Sequence, residues 1–587
     1  MRMRCVWTIV LAMLVCAAPI QAQAPVQTRP KTPPMTLSET QQTMRQPSDV
    51  AAKIDALFAE QAKPGNPGAA VGVYRDGKLI FSKGYGLADL EAGTAITTKT
   101  RFHVASVSKQ FAAFAVALLA REGKLDLDAD VRNYLPYLPN FGRKISTRHL
   151  ILHTSGLRDQ WALFALGGQD MDGRLRQAQI VNMVSRQRAL NFDPGSEHMY
   201  SNTGYTLLAE IVRAVSGQSL REFTSERIFT PLAMGNTFFF DDVEEVVPGR
   251  ANSYEREKDD QPWKRSLLNY DNAGATSLFT TVEDLAKWAG NFSAPRVGDR
   301  ALIDQVTSNG SLDDGTPLDY GFALSRTKLD GRSVITHSGA DAGFRAMFYV
   351  YPDDDFAIII TANTPFDLTE KVKAIADLYL PPGKSPLPPP PAARPNPDLA
   401  KKFAGTYLPR YGGAFKLREK NGELHPVEDE DEETEALVLR ADGSFDDGKR
   451  DYHYYVPIIN ANGQVEALEE HTVGTPYPPV QRLQRASALP ASDLSGYVGD
   501  YRSDELDITY TVKLDGGQLQ VESLWTEEPI ALQMVAPHRF DAEDWRFGSI
   551  VFDEQSNQPQ YFMVNSGRIR HLRFDRVPQR AAPSMMP

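Results

Sequence analysis

A proline-rich stretch from residue 381 to residue 397 divides this chain of 587 residues into two parts. Proline has no backbone N–H and a fixed φ, so a helix or a central strand cannot run through such a stretch. Repeated proline instead favours an extended, semi-rigid spacer. We therefore predict a linker at 381–397 with separate folded units before and after it, which the length of the chain allows.

The part before the linker has strand patterns at both ends and helix patterns between them. Residues 69–86 predict a β-hairpin that turns at Asp76 and Gly77, and strands are expected again at 344–351 and 356–361. An apolar run at 110–121 with almost no charge predicts a buried helix. Strands around a helical middle favour an antiparallel sheet flanked by helices, so we predict an α+β domain at 48–380.

The part after the linker is a duplicated all-β region. Its matching segments are 403–407 with 497–501, 421–424 with 516–519, and 481–483 with 575–577, at an offset of about 94 residues. Short alternating strands with Gly turns accompany the repeat. We predict two barrel-like β modules, at 398–487 and 488–580, each a meander that closes on itself. We expect them to fold independently of the domain at 48–380.

The first residues have the pattern of a secretory signal peptide. Basic residues precede an apolar core from Cys5 to Ile20, and cleavage is expected after Ala22, which makes 1–22 the signal. Residues 23–47, rich in Gln, Thr and Pro, predict a disordered tether. A membrane anchor is the alternative, but the apolar run is short for a span. We expect a secreted or periplasmic protein without stable membrane insertion after signal cleavage.

Charge and cysteine content exclude several classes of function. A net charge of -12 without a concentrated basic patch argues against nucleic acid and anionic membranes as partners. Both cysteines, Cys5 and Cys16, lie in the predicted signal, which excludes cysteine catalysis and thiolate metal sites in the mature chain. No His-Glu-x-x-His motif and no phosphate-binding glycine loop occur, so neither a metal nor a cofactor is expected. The acidic run at 428–433 is interpreted as a solvated loop, with a calcium site as the alternative.

The sequence Ser-Val-Ser-Lys at 106–109 couples a hydroxyl nucleophile to a basic side chain. Residues three apart share one face of a helix, so the Lys109 amine can lie beside the Ser106 hydroxyl. The apolar run that follows predicts a buried helix with its N-terminus at a cleft. Burial there would lower the pKa of Lys109 from its ordinary value of about 10.4 and make the amine a potential base.

Two further motifs follow in order, Tyr-Ser-Asn at 200–202 and His-Ser-Gly at 337–339. With these motifs, residues 50–380 resemble the penicillin-recognising serine hydrolases, in particular the branch of class C β-lactamases, D,D-carboxypeptidases, D-aminopeptidases and related esterases. That family carries Ser-x-x-Lys, Tyr-x-Asn, and Lys-Thr-Gly or His-x-Gly in this order. The resemblance implies the family's α+β fold, and some of its D-aminopeptidases carry two C-terminal barrels.

The resemblance also implies a role for each motif residue. Ser106 forms the acyl-enzyme, and either Lys109 or Tyr200 takes its proton, a choice that the sequence leaves open. Tyr200 also protonates the leaving group, while Asn202 holds the Lys109 side chain and the substrate amide. The backbone N–H groups of Ser106 and Ala340 form the oxyanion hole.

The third motif implies three substrate-binding residues, His337, Ser338 and Gly339. A glycine is expected because a side chain would obstruct a substrate lying along the strand. His337 replaces the lysine of the Lys-Thr-Gly form, and a neutral imidazole cannot anchor a substrate carboxylate. An unperturbed histidine carries the needed charge only below about pH 6.5. Arg345 is the alternative carboxylate partner, and His153 is interpreted as structural.

Together these observations predict an exported serine hydrolase that cleaves amide or ester bonds of small peptides, D-amino-acid derivatives or esters. It would act as a D-aminopeptidase, a carboxypeptidase or an esterase, and its partners would be small-molecule or peptide substrates. The alternative is a catalytically weak protein of the penicillin-binding type that binds or senses peptidoglycan fragments. In either case the β modules are candidates for contact with the cell envelope.

Overall fold

The computed structural model describes residues 47–578, apart from 172, 259, 382–389, 395, 428–433, 449–452, 473–480, 488, 490–492, 543 and 556–557. The predicted signal peptide, nearly all of the predicted tether, about half of the proline-rich linker and the acidic run lie outside the described residues.

A six-stranded antiparallel sheet forms the centre of the part before the linker. Its strands, in spatial order, are Ser325–Leu329, Arg332–Asp341, Phe344–Tyr351, Phe356–Ala362, Ala69–Arg75 and Lys78–Tyr85. The last two strands are the predicted hairpin. Asp76 and Gly77 form its turn with φ values of 48° and 78°, the left-handed conformation that a tight two-residue turn requires.

Helices cover both faces of this sheet. Ile358 and Ile360 lie in one apolar core with the helices Pro47–Leu57 and Thr369–Tyr379, whereas Ile359 points into the opposite core, which contains the helix Lys109–Arg121. Because side chains alternate across a strand, this two-sided covering explains why the whole strand Phe356–Ala362 is buried. The predicted α+β fold is confirmed.

The remaining elements of this part are shorter. Its other helices are Thr147–Ile151, Gln160–Leu166, Gln177–Ser185, Asn202–Ser216, Leu220–Thr224, Val282–Ser293 and Arg300–Val306. Its minor strands are Leu87–Asp89, Thr94–Ala95, Phe102–His103, Leu175–Arg176, Phe238–Phe239, Tyr254–Glu255, Lys264–Arg265, Tyr270–Asp271 and Leu278–Thr280. Within the described ranges, no helix has both the length and the apolar character needed to cross a bilayer.

The first β module is an eight-stranded sheet that follows the helix Pro397–Phe403. Its strands are Gly405–Leu408, Phe415–Lys420, Glu423–Pro426, Val438–Leu439, Phe445–Asp446, His453–Ile459, Val465–Thr472 and Gln481–Arg485. The edges of the sheet meet through a single bridge between Leu424 and Leu437, so the module is nearly closed.

The second β module is a closed eight-stranded barrel. Its strands are Gly499–Ser503, Ile508–Asp515, Gln518–Glu522, Ile530–Ala536, Arg539–Ala542, Ser549–Phe552, Tyr561–Ser566 and Ile569–Arg576. Closure comes from pairing between the first and last strands and leaves no free edge in this sheet. The predicted barrel-like modules are confirmed, whereas their exact boundaries stay a prediction.

The two modules repeat the same local contacts, with one change to the predicted alignment. The Tyr407 hydroxyl donates to the Phe403 carbonyl at 2.7 Å, and the Tyr501 hydroxyl donates to the Tyr497 carbonyl at 2.9 Å. The arginine paired with Tyr501 is Arg576, as the alignment implied, but the residue paired with Tyr407 is Arg485. The sequence match aligned Arg482 with Arg576, which is three residues away from the structural equivalent, Arg485. The error arose because the last strand of the first module carries arginine at both 482 and 485.

The second module packs directly on the part before the linker. The guanidinium of Arg158, which is fully buried, donates to the Glu505 carboxylate at 2.5 Å and to the carbonyl oxygens of Arg570 and His571 at 3.1 and 3.0 Å. The Tyr510 hydroxyl donates to the Leu166 carbonyl at 3.0 Å. One apolar core runs across the boundary. A buried ion pair and a shared core thus join this module to the first domain, the part before the linker, and independent folding of the modules stays a prediction.

We predict that Glu505→Ala destabilises this junction, because it leaves the Arg158 charge buried without its carboxylate. Breaking one partner of a buried ion pair usually destabilises a protein by about 3–5 kcal/mol. Asp504→Ala is a matched control, since Asp504 pairs with Arg188 at the surface and both side chains are at least half exposed; it should change stability by less than about 1 kcal/mol. Urea unfolding of the full chain measures both effects. Equal stability of the two variants would contradict the role of the ion pair.

Candidate active site

A short 3-10 turn, Ala105–Ser108, places the candidate nucleophile. In a 3-10 turn residues three apart lie in line, which brings Ser106 over Lys109, the first residue of the buried helix. The Ser108 hydroxyl fixes the turn by donating to the Ala105 carbonyl at 2.5 Å and accepting from the Leu278 N–H at 3.0 Å. Ala105 has a φ of 48°, a strained value for a residue with a side chain. Ser106 itself is partly exposed.

The Lys109 amine is buried and bound on three sides. Its Nζ lies 3.0 Å from the Ser106 Oγ, 2.8 Å from the Asn202 Oδ1 and 2.5 Å from the Ala275 carbonyl oxygen. Burial first, and then the positive charge of Arg568, lower the pKa of Lys109 to about 7, against the opposing negative charges of Asp159 and Asp341. An amine with this pKa is neutral in a large fraction of molecules near pH 7 and can accept a proton.

Asp159 fixes the orientation of Asn202, and the sequence did not identify it. Its Oδ2 accepts from the Asn202 backbone N–H at 2.7 Å and from the Asn202 Nδ2 at 2.9 Å. The side-chain carbonyl of Asn202 therefore faces Lys109. Asp159 also caps the helix Gln160–Leu166 by accepting from the Trp161 N–H. An Asp before an apolar run is a signal for a helix start, but that signal says nothing about a contact with the site.

The phenol of Tyr200 lies over the same amine. Its ring centre is 4.9 Å from the Lys109 Nζ, and it packs on the His153 ring at 4.2 Å. The buried hydroxyl has no hydrogen-bond partner among the described residues. Burial raises the pKa of Tyr200, and the nearby Ser106 hydroxyl and Arg568 offset this only in part. A phenolate is therefore disfavoured at this position.

A chain of neutral polar groups connects the second and third motifs. The His153 Nδ1 accepts from the Ser201 N–H at 3.1 Å, which leaves its Nε2–H to donate to the Tyr320 hydroxyl at 3.2 Å. That hydroxyl in turn faces the His337 Nε2 at 3.0 Å, and the His337 Nδ1–H donates to the Ser338 carbonyl at 2.6 Å. The network assigns one neutral tautomer to each histidine. His153 is thus placed as a packing residue beside the site, as interpreted from the sequence.

The environment of His337 changes the pH at which its imidazole becomes positively charged. Burial and the positive charge of Lys109 lower the pKa of His337 to about 4. The imidazole therefore stays neutral in mildly acidic solution as well, where an unperturbed histidine would be charged. The expectation that His337 carries a positive charge just below about pH 6.5 is wrong, because desolvation outweighs the ordinary basicity of the ring.

The third motif lies on the strand Arg332–Asp341, which we call the site strand. The neighbouring strand pairs with it only as far as Thr336, so its last five residues have one edge free toward the Ser106 turn. A Cβ at Gly339 would lie 2.2 Å from the Val104 carbonyl oxygen and 3.2 Å from the Ser106 nitrogen. Glycine is thus required by close packing of this turn, a different reason from the substrate clearance expected. Ser338 is partly exposed on this strand and Ala340 is exposed.

The other residues near the site strand are fixed by their own partners. The Asp341 carboxylate accepts from Thr276 at 2.8 Å, lies 3.1 Å from the His103 Nε2 and also contacts the Tyr270 hydroxyl. This cluster anchors the loop that brings the Ala275 carbonyl to Lys109. The Arg345 Nη1 donates to the carbonyl oxygens of Ala342 and Phe344 at 2.9 and 2.7 Å, which ties this end of the guanidinium to the backbone.

One further cation comes from the second β module. The Arg568 guanidinium carbon lies 4.7 Å from the centre of the Tyr200 ring, and its Nη1 lies 3.6 Å from the Asp159 Oδ2. No sequence motif pointed to this residue, because it lies more than 350 residues beyond Tyr200 in a turn of the duplicated region. In the parts of the chain that the structure describes, no cluster of three or more His, Cys, Asp or Glu side chains could hold a metal ion.

Comparisons with known proteins relate this chain to one family. The family model described as Beta-lactamase matches residues 54–379. A D-aminopeptidase of Brucella canis is 26% identical over 473 residues, which cover 77% of this chain and 82% of the relative. A D-aminopeptidase of Gluconobacter oxydans is 29% identical over 310 residues, 52% of this chain and 58% of the relative. The crystal structure of SurE shares the fold with a TM-score of 0.51 at 23% identity, covering 75% of this chain and 99% of SurE.

We predict that acid destabilises the protein between about pH 6.5 and 4. Burial lowers the pKa of both His337 and His198 to about 4. Unfolded histidines bind protons below about pH 6.5, so the stability these neutral rings contribute is present above that pH and lost as the pH falls. His198→Gln and His337→Gln should each flatten this dependence by up to about 1.4 kcal/mol per pH unit.

The measurement is the free energy of urea unfolding as a function of pH. Between pH 7 and 8 the two variants and the wild type should give parallel lines, which is the internal control. If both variants show the same slope of unfolding free energy against pH as the wild type below pH 6, the pKa values of these two histidines are not lowered in the folded protein, and the prediction is wrong.

Proposed function

This chain belongs to the β-lactamase family and is a serine hydrolase of that type; on this premise we propose that it cleaves amide or ester bonds of small substrates through a Ser106 acyl-enzyme. We further propose that it is exported to the periplasm or the medium and that its substrates are small peptides, D-amino-acid derivatives or esters. The amide specificity is supported by the names of its relatives, D-aminopeptidases of two bacteria. Export rests on the signal pattern of residues 1–22.

The observation that carries the proposal is the buried Lys109 amine 3.0 Å from the Ser106 hydroxyl. With its pKa lowered to about 7, the neutral amine takes the Ser106 proton as Oγ bonds to the substrate carbonyl carbon. Tyr200 is the weaker candidate for this base, because burial raises its pKa. The sequence left open whether Lys109 or Tyr200 is the general base, and we propose Lys109.

The remaining groups fit the later steps of acyl transfer. In the proposal, the negative charge that develops on the carbonyl oxygen is stabilised by the N–H groups of Ser106 and Ala340. Tyr200, whose hydroxyl has no other partner among the described residues, donates its proton to the leaving group and regains one from Lys109. Water then hydrolyses the ester by the reverse path. The lowered pKa of Lys109 supports a catalyst over the alternative, a catalytically weak protein that binds peptidoglycan fragments.

Covalent labelling tests the assignment of nucleophile and base. A fluorophosphonate probe should label the wild type, and Ser106→Ala should abolish labelling. Lys109→Met should slow labelling by about a hundredfold or more, the scale of general base catalysis. Ser293→Ala and Lys124→Met are surface controls and should label at wild-type rates. Labelling that survives Ser106→Ala would refute the proposal.

The pH dependence of labelling tests whether Lys109 is the base. The wild-type rate should fall as the pH drops below about 7, since the protonated amine cannot accept a proton. Asp159 raises the pKa of Lys109 through its negative charge, so Asp159→Asn should move this limb to lower pH. Asp193→Asn, an exposed aspartate paired with Arg143, should leave it in place. A limb that moves to higher pH in Asp159→Asn would contradict the assignment.

A further inference from the structure

The turn that carries Arg568 is held against the first domain from both sides. It joins the strands Tyr561–Ser566 and Ile569–Arg576 of the second β module. The Arg568 carbonyl accepts from the Asn191 Nδ2 at 2.9 Å, and the Arg570 N–H donates to the Asn191 Oδ1 at 2.7 Å. The Asp159 N–H also approaches the Arg568 carbonyl, at 3.4 Å. These contacts fix where the Arg568 side chain begins.

The guanidinium of Arg568 has donors without hydrogen-bond partners among the described residues. Its side chain is 24% exposed, and none of its N–H groups makes a hydrogen bond to an acceptor in the described residues. The nearest carboxylate oxygen, on Asp159, is 3.6 Å away and already accepts two hydrogen bonds from Asn202. The charge of Arg568 is thus held at the site, while its donors remain available to a ligand.

Other basic side chains of the two units have hydrogen-bond partners within the protein or are neutral. Arg570 donates to the Glu197 carboxylate at 2.7 Å, and Arg158 donates to Glu505. Arg345 is bound to two backbone carbonyls, and His337 is neutral near pH 7. Arg568 differs from these four groups in two ways: its guanidinium lies 4.7 Å from the centre of the Tyr200 ring, and its side chain makes no hydrogen bond to the described residues.

We propose that Arg568 is a specificity-determining residue that binds a carboxylate on the acyl half of the substrate. The proposal rests on the proposed function and narrows its substrate class. A guanidinium can bind a carboxylate through two parallel hydrogen bonds, which a neutral imidazole cannot do. The acyl half is indicated because Arg568 lies beside Asp159, the residue that orients Asn202, and Asn202 is the group assigned to the substrate amide. A substrate ammonium at the same position is repelled.

Two esters that differ only in charge test this assignment on the full-length protein. The probes are the mono-4-nitrophenyl ester of adipic acid, which ends in a carboxylate, and its counterpart ending in a primary amide. In Arg568→Gln the ratio of kcat/KM for the anionic ester to that for the amide should fall about ten- to hundredfold, the usual effect of one hydrogen bond to a charged group. Arg568→Lys, which keeps the charge, should recover part of the ratio.

The control is Arg573→Gln, an exposed arginine on the following strand that pairs with Asp575. Rates are compared at a pH above the acid limb of each variant, since loss of Arg568 also changes the basicity of Lys109. Fluorophosphonate labelling of Ser106 in every variant confirms an intact nucleophile. As a second readout, adipic acid monoamide should protect wild-type Ser106 from labelling better than adipamide does, and Arg568→Gln should remove that difference.

A ratio that is unchanged in Arg568→Gln, or that changes equally in Arg573→Gln, would overturn the proposal. So would an effect confined to esters whose carboxylate is on the leaving group, tested with the hexanoate esters of 4-hydroxybenzoate and 4-hydroxybenzamide. Failure of the wild type to label at Ser106 would instead refute the proposed function itself, so the two failures are distinguishable.

Discussion

The burial of the Lys109 amine is the constraint on which the rest of the site depends. An ammonium group removed from water is unstable unless its donors have partners, and three oxygens from distant parts of the chain supply them: Ser106, Asn202 and Ala275. The same removal from water lowers the pKa of the amine to about 7. Packing therefore gives the lysine both its position and its basicity, and the turn, the helix and the loop that carry the three oxygens are fixed around it.

The polar groups beside Lys109 are held together without charge. Tyr200, Tyr320, His153 and His337 are linked by ring packing and hydrogen bonds between neutral groups. Burial favours the neutral form of each, so this wall of the cleft adds no formal charge. The positive charge in the cleft comes from Lys109, when protonated, and from Arg568. In our proposal, a substrate is therefore recognised electrostatically by residues from two different folded units.

The second β module helps to build the site, because its docking positions the Arg568 turn. Its docking buries the Arg158–Glu505 ion pair and extends the apolar core across the boundary. Because a buried charge without its partner is strongly destabilising, the docked position is well defined, and the Arg568 turn is held against Asn191 and Asp159. The first module contacts the second through hydrogen bonds such as that from the Ala414 N–H to Asp541. Domain organisation and site chemistry are thus coupled.

Local patterns in the sequence determined the hairpin at 69–86, the buried helix after Ser106, the Ser106–Lys109 pair and the duplication of the β region. Each of these depends on residues a few positions apart, where periodicity, turn residues and motif spacing act directly. The repeat was recognised, but its register at Arg485 required the strand pairing itself. The charge of His337 and the need for glycine at 339 were inferred from residue type alone. The structure gives His337 a lowered pKa and explains Gly339 by its close packing on the Ser106 turn.

Only the tertiary structure decided which groups meet at the cleft and how they ionise. Asp159 and Arg568 lie more than 400 residues apart in the sequence, yet both adjoin the Tyr200–Asn202 motif. No periodicity relates such positions, because their proximity results from the docking of one folded unit on another. The pKa values of Lys109 and His337 likewise depend on how deeply each side chain is buried and on the charges beside it. The sequence supplies the residue types, whereas desolvation and long-range packing determine their charge states.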